Sequence, residues 1–145
     1  MSRNPPAIRR LLRNGASPSV RDREGEPAIV LAAHYVPSIP LIRPLLRAGA
    51  DVDAGDDQGN TALIVTARDE DLDTVKELIK CGANVNARNR EDDTPLTNAA
   101  IWGQAKVVRY LLDHSADPNL PDGVGCTALE LARQHGHAQI VNLSS

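Results

Sequence analysis

Two kinds of apolar stretch alternate along the chain. One is short and built of small residues: Ala32-Ala33, Thr66-Ala67, Ala99-Ala100 and Ala132. The other carries larger aliphatics, as in Val75-Lys76-Glu77-Leu78-Ile79 and Val108-Arg109-Tyr110-Leu111-Leu112. Apolar residues three and four apart share one side of a helix, so the second kind predicts amphipathic helices with one wet face. The first kind predicts helices packed close to a neighbour, because alanine lets two backbones approach. A polar segment follows the large-aliphatic stretches: Gly49-Ala50-Asp51-Val52-Asp53-Ala54, echoed by Gly82-Ala83-Asn84-Val85-Asn86-Ala87.

The alternation has a period. Thr61, Thr94 and Thr127 are 33 residues apart, as are Gly49, Gly82 and Ser115, and Val75, Val108 and Val141. Gly15 to Gly49 and Gly25 to Gly59 are 34 apart, whereas Ile42 to Val75 is again 33. One extra residue therefore lies between Gly25 and Ile42, and Pro37 places it in a loop near His34 to Ser38. The glycines read as helix ends in the left-handed conformation. The threonines read as helix starts, with Pro95 in a first turn where no N–H partner is needed. No such unit buries its apolar face alone, so the units must stack and fold together.

Thr61-Ala62-Leu63, Thr94-Pro95-Leu96 and Thr127-Ala128-Leu129, combined with the Gly-Ala-Asp-Val-Asp-Ala ends at a 33-residue period, resemble the ankyrin-repeat family over roughly residues 7 to 145. The resemblance implies an all-α solenoid of stacked helix pairs joined by β-hairpin-like turns. It implies one domain over 1–145: a partial N-terminal repeat at 1–22, repeats at 23–56, 57–89 and 90–122, and a partial C-terminal repeat at 123–145. In this family a His three residues after the Thr braces the turn. Val30, Ile64, Thr97 and Glu130 hold those places here, so the brace is expected to be missing throughout. The second repeat is the most eroded. Pro27 replaces its Thr, and Pro37, Pro40 and Pro44 imply a short or distorted outer helix. Asn4-Pro5-Pro6 is expected to start an outer helix reaching Arg13, while Ser144 and Ser145 take the places that Leu111 and Leu112 hold one repeat earlier. Such half-repeats suit stack ends that meet water, or else a chain cut from a longer array.

Composition supports a thin stack over a ball. Trp102, Tyr35 and Tyr110 are the only aromatics and there is no Phe, so no core is built on large rings. Net charge is −3, but residues 1–23 hold six arginines against Asp22, a net +5, which leaves −8 for the rest. Arg9, Arg10 and Arg13 interleave with Ile8, Leu11 and Leu12, as on the wet face of a helix. With no aromatics among the basic residues, nucleic-acid binding is disfavoured. No apolar run reaches membrane-spanning length, and the first residues lack the apolar segment of a signal peptide, so a cytoplasmic place is expected.

Candidate chemistry is sparse. His135-Gly136-His137 invites a metal reading, but the family commonly has Gly-His here, which makes His137 a structural turn residue. Cys81 and Cys126 occupy non-equivalent places and build no zinc cage. The acidic residues fall in loops and helix starts, where water and the helix dipole favour them, rather than as a dyad with separated pKa values. No phosphate-cradling loop and no nucleophile motif occur. No catalysis, no metal, no cofactor and no small-molecule substrate are therefore expected.

What the resemblance implies is a protein-binding module (a scaffold, adaptor or inhibitor), or alternatively the recruiting or regulatory domain of a larger enzyme. The family's partners usually lie along the concave face formed by hairpin tips and inner helices. Carried over position by position, the expected protein-binding residues are Arg23, Glu24, Asp57, Gln58, Asn60, Arg90, Glu91 and Asp93 at the tips. Tyr35, Arg68, Asp69, Ile101, Trp102 and His135 follow from the inner helices. Tyr35 and Trp102 share one register place. Trp102 serves either as a partner anchor or as packing onto Gln134 and His135, whereas Tyr110 belongs to an outer helix. The expected partner is a protein with a basic and apolar surface, bound by a monomer.

Overall fold

The computed structural model describes residues 17–143, together with Ile8, Arg10 and residues 13–15. The expected helix from Asn4 to Arg13 and the places of Ser144 and Ser145 lie largely or wholly outside these residues. Over residues 17–143 eight helices follow one another: α1 (Ala28–Ala33), α2 (Ile39–Arg47), α3 (Ala62–Arg68), α4 (Leu72–Lys80), α5 (Pro95–Ile101), α6 (Ala105–Asp113), α7 (Ala128–Gln134) and α8 (Ala138–Leu143). The odd-numbered helices form an inner row and the even-numbered an outer row, each pair packed together and each helix packed on its counterpart one repeat away. The chain is an all-α solenoid. Its only β pairing among the described residues is isolated antiparallel bridges at turns, Arg21 with Pro27 and Gly55 with Thr61. Ala62, Pro95 and Ala128 start inner helices at 33-residue steps, but Ala28 precedes Ala62 by 34 and Ile39 precedes Leu72 by 33. The extra residue therefore sits in the turn between α1 and α2.

Small residues decide which row packs tightest. Ala32, Ala33, Ala62, Ala67, Ala99, Ala100 and Ala132 are all fully buried, so inner helices meet across alanine and lie in closer contact than outer ones. A stack tighter on one side curves toward that side, which makes the inner row concave. The outer helices turn Ile42, Leu45, Val75, Leu78, Val107, Val108 and Leu111 into the layer between the rows and leave their polar faces wet.

Three of the four inner helices described, α3, α5 and α7, are capped by side chains. The hydroxyls of Thr61, Thr94 and Thr127 accept from the backbone N–H of Ile64, Thr97 and Glu130. The expected loss of the turn brace throughout needs correction. The Thr97 hydroxyl accepts from Thr94 N–H at 2.8 Å, and the Glu130 carboxylate accepts from Thr127 N–H at 2.8 Å, so both repeats close a reciprocal capping box. The brace has changed residue type rather than vanished. It is absent only where Pro27 and Ile64 stand, because a proline has neither hydroxyl nor N–H and an isoleucine offers no polar atom.

The expected short or distorted α2 also needs correction. It is an unbroken nine-residue helix, as long as α4 and α6. Pro44 lies inside it, but Pro40 and Pro44 are both exposed, so the carbonyl that Pro44 leaves without a helical donor can face water. Leu41, Ile42 and Leu45 on the opposite side are buried and hold the helix against the stack.

The turns from inner to outer helix carry hydrogen bonds between repeats. Gln104 donates to the Arg68 carbonyl at 2.9 Å, and His137 Nε2 lies 2.8 Å from the Ile101 carbonyl. At the equivalent place Asp71, buried, accepts from both the N–H and the hydroxyl of Ser38, which is also buried. Asp71, Gln104 and His137 thus use three chemistries for one job, tying each repeat to the one before.

Candidate functional site

Four hairpin tips project beside the concave row, and each is built around one side chain. Asp22, Asp56, Asn89 and Asp122 each use Oδ1 to accept from the N–H groups two and four residues later, at 2.8–3.1 Å. Their own N–H groups donate to the carbonyls of Glu26, Asn60, Asp93 and Cys126. An Asp or Asn that folds its side chain back on the following backbone makes such a turn without a partner strand. The sequence reading did not single out these four residues, although they recur at 34, 33 and 33 residues. That recurrence was the available signal.

Neighbouring tips are joined to one another. Arg90 N–H donates to the Gln58 carbonyl at 2.9 Å, Gly123 N–H donates to the Glu91 carbonyl at 2.8 Å, and the Asn89 amide donates to the Asn60 side chain at 2.9 Å. The approach at Gly123 is close. A Cβ there would lie 2.6 Å from the Glu91 carbonyl oxygen, so only glycine fits.

Between the tips at Asp56–Asn60 and Asn89–Asp93 lies an open depression of about 230 Å³. Gln58, Asn60, Glu91 and Asp93 line it from the tips, and Arg68 and Trp102 line it from the ends of α3 and α5. These six came from the sequence. Asn89 and Asn98 also line it, and the sequence reading did not select them. Trp102 is 57% exposed. Burial raises the Asp93 carboxyl above its usual range, and repulsion from Glu91, Asp122 and Asp92 adds to this, while a hydrogen bond with Asn89 opposes it.

The remaining candidates are spread along the same side. Arg23, Glu24, Asp57 and Arg90 are exposed at the tips. Asp69 caps α3 and lies 3.9 Å from Arg68 Nε. Ile101 is half-buried, and the exposed His135 caps α7 with Nδ1 2.9 Å from the Leu131 carbonyl. Tyr35 differs from Trp102 despite its shared register place. It packs against the core, and its hydroxyl is buried without a hydrogen-bond partner. The inserted residue beside it explains why register and exposure part company here. Tyr110, on α6, stacks on His114 at 3.9 Å beneath the Lys76 ammonium.

Among the described residues no group of three or more His, Cys, Asp or Glu is placed to hold a metal ion. No helix among them is long and apolar enough to cross a membrane. The chain matches the family model of ankyrin repeats (three copies) over residues 1–89 and again over residues 64–143. No curated protein matches it.

Proposed function

Because this chain belongs to the ankyrin-repeat family, whose members generally serve protein–protein interaction, we propose that it binds a partner protein along its concave face. The reading assigns it a scaffold, adaptor or inhibitor role, acting as one domain of stacked repeats in the cytoplasm and carrying no catalysis of its own. The observation that carries the proposal is the exposure of Trp102 beside a polar depression. Interfaces concentrate their energy in tryptophan, tyrosine and arginine anchors, and a large ring left in water at such a place is available to a partner. The tips add Glu24, Asp57, Glu91 and Asp93 against Arg23 and Arg90, which leaves them negative, so the complementary surface is basic around an apolar centre.

Affinity capture with mass spectrometry, followed by binding kinetics on the captured partner, tests this. Trp102→Ala should raise the dissociation rate by roughly tenfold or more without lowering the melting temperature. Neutralising Asp57, Asp69 and Asp93 together should instead slow association and flatten its salt dependence. Lys80→Ala on the outer row should change neither. An intact affinity with a lowered melting temperature in Trp102→Ala would make Trp102 a packing residue and move the site elsewhere.

A further inference from the structure

We infer that the depression between the two central tips receives one arginine side chain of the partner, its guanidinium held by the Glu91 and Asp93 carboxylates and its aliphatic stem laid on Trp102. The inference rests on the concave-face reading and specifies its chemistry.

The lining carries more carboxylates than cations, with Arg68 as its guanidinium beside the Gln58 amide. Glu91 and Asp93 bring two carboxylates. Three of the four lining amide nitrogens are already committed, Asn60 to the Asp56 carboxylate, Asn89 to the Asn60 side chain and Asn98 to the Ile64 carbonyl, which leaves that of Gln58. A guanidinium has five donors and no acceptor, so it pairs with two carboxylates where an anion does not.

Charge points the same way. No ion pair joins Glu91 or Asp93 among the described residues. Arg68, the cation that lines the depression, has its Nε 3.9 Å from its own neighbour Asp69. Asp93 is half-buried with Glu91 and Asp92 on its own tip and Asp122 on the next, so its negative charge is poorly compensated in the free protein. An arriving cation removes that repulsion. Trp102 supplies what a carboxylate pair alone lacks, a flat apolar surface on which a guanidinium plane and its stem can lie.

Trp102 is the sole tryptophan, so its emission reports the site directly. The probes are the capped pentapeptide Gly-Gly-Arg-Gly-Gly and its counterpart with citrulline, which keeps the shape of arginine and loses the charge. The arginine peptide should give a saturable change in Trp102 emission, and the citrulline peptide should bind at least about tenfold more weakly. Asp93→Asn should weaken the arginine peptide by about tenfold while the melting temperature stays within a few degrees of the parent. The arginine affinity should also fall as the pH is lowered through the raised Asp93 value, where that carboxylate gains a proton. Equal binding of the two peptides, or no saturable change with either, overturns the inference. If a captured partner still loses affinity on Trp102→Ala while the peptides are not distinguished, the concave-face reading stands and only the arginine pocket falls. If both tests fail, both readings fall.

Discussion

The repeat around α1 and α2 and the repeat around α5 and α6 bury their apolar residues equally well and differ in almost everything else. Ile29, Val30, Ile42 and Leu45 are as completely enclosed as Leu96, Val107, Val108 and Leu111. Yet α5 begins with a reciprocal box between Thr94 and Thr97 and with Pro95 in its first turn, whereas α1 begins at Pro27 with no side-chain cap. The outer helix α6 has its full ladder of donors, whereas α2 loses one at Pro44. The second of these repeats has its own cost. Asp92 and Ser115 adopt left-handed backbone, with φ of 62° and 74°, at places where the other repeats use glycine. Enclosure of side chains therefore does not rank these repeats. Their difference lies in backbone hydrogen bonds and backbone strain, which burial does not register.

The largest effect should come from restoring the missing donor. Pro44→Ala should stabilise the stack by about 2 kcal/mol in urea unfolding, somewhat under the ~3 kcal/mol of a proline in a regular helix interior because the freed carbonyl faces water. In the parent, amide exchange over residues 25–48 should be faster than over residues 90–122, and Pro44→Ala should narrow the gap. Equal protection in the parent would show that coupling between repeats erases the local difference. Next comes the cap. Thr94→Ala removes the hydroxyl that accepts from Thr97 N–H, leaves the reciprocal bond from its own N–H to the Thr97 hydroxyl, and should cost about 1–2 kcal/mol, the upper part of the usual range because the site is buried. A cost within error of zero would mean that Pro95 alone fixes the start of α5. Smaller again is Ser115→Gly, which should raise stability by about 1 kcal/mol by removing left-handed strain. A loss of stability there would mean that the serine side chain compensates the strain.

The smallest effect concerns Asp93. Its carboxyl is raised by burial and by neighbouring acids, so the folded state binds the proton more readily than the unfolded chain does. Its ionised form therefore opposes folding at neutral pH. That penalty is relieved as the pH falls through the raised folded value toward the usual carboxylate value of 3.8. Compared with Asp93→Asn, the parent should gain relative stability over that window. Parallel curves for the two proteins would remove Asp93 from the account of the acidic wall.

Much of this architecture was legible because the residues that set it act locally. A glycine that must turn left-handed, a threonine that caps and an alanine that admits a neighbour each announce themselves at fixed spacing, and one inserted residue showed as a 34 among 33s. What escaped depended on partners distant in sequence or on substitution of one chemistry by another. The brace was sought as histidine, while Thr97 and Glu130 perform it with a hydroxyl and a carboxylate. The Glu three places after Thr127 was in fact a readable cap signature. Pro44 was read as a helix breaker because the sequence does not reveal that its side of α2 faces water. Tyr35 was matched to Trp102 by register, but the insertion beside it sends its ring to the core. At the candidate site, six of the eight lining residues followed from position, whereas Asn89 and Asn98 did not, since their amides reach back toward the preceding repeat.

The bonds that run from tip to tip, Arg90 to Gln58 and Gly123 to Glu91, also set a gauge. Loops tied to each other by their backbones cannot slide independently, so three tips act as marks on one ruler whose unit is a repeat. A partner that touches two of them is measured in whole divisions. A rigid segment of the right length would engage both marks at once, and the same segment lengthened by one residue would meet the second mark out of phase. Gly123→Ala would loosen the last division and leave the first untouched, so discrimination by length should blur at one end of the groove before the other.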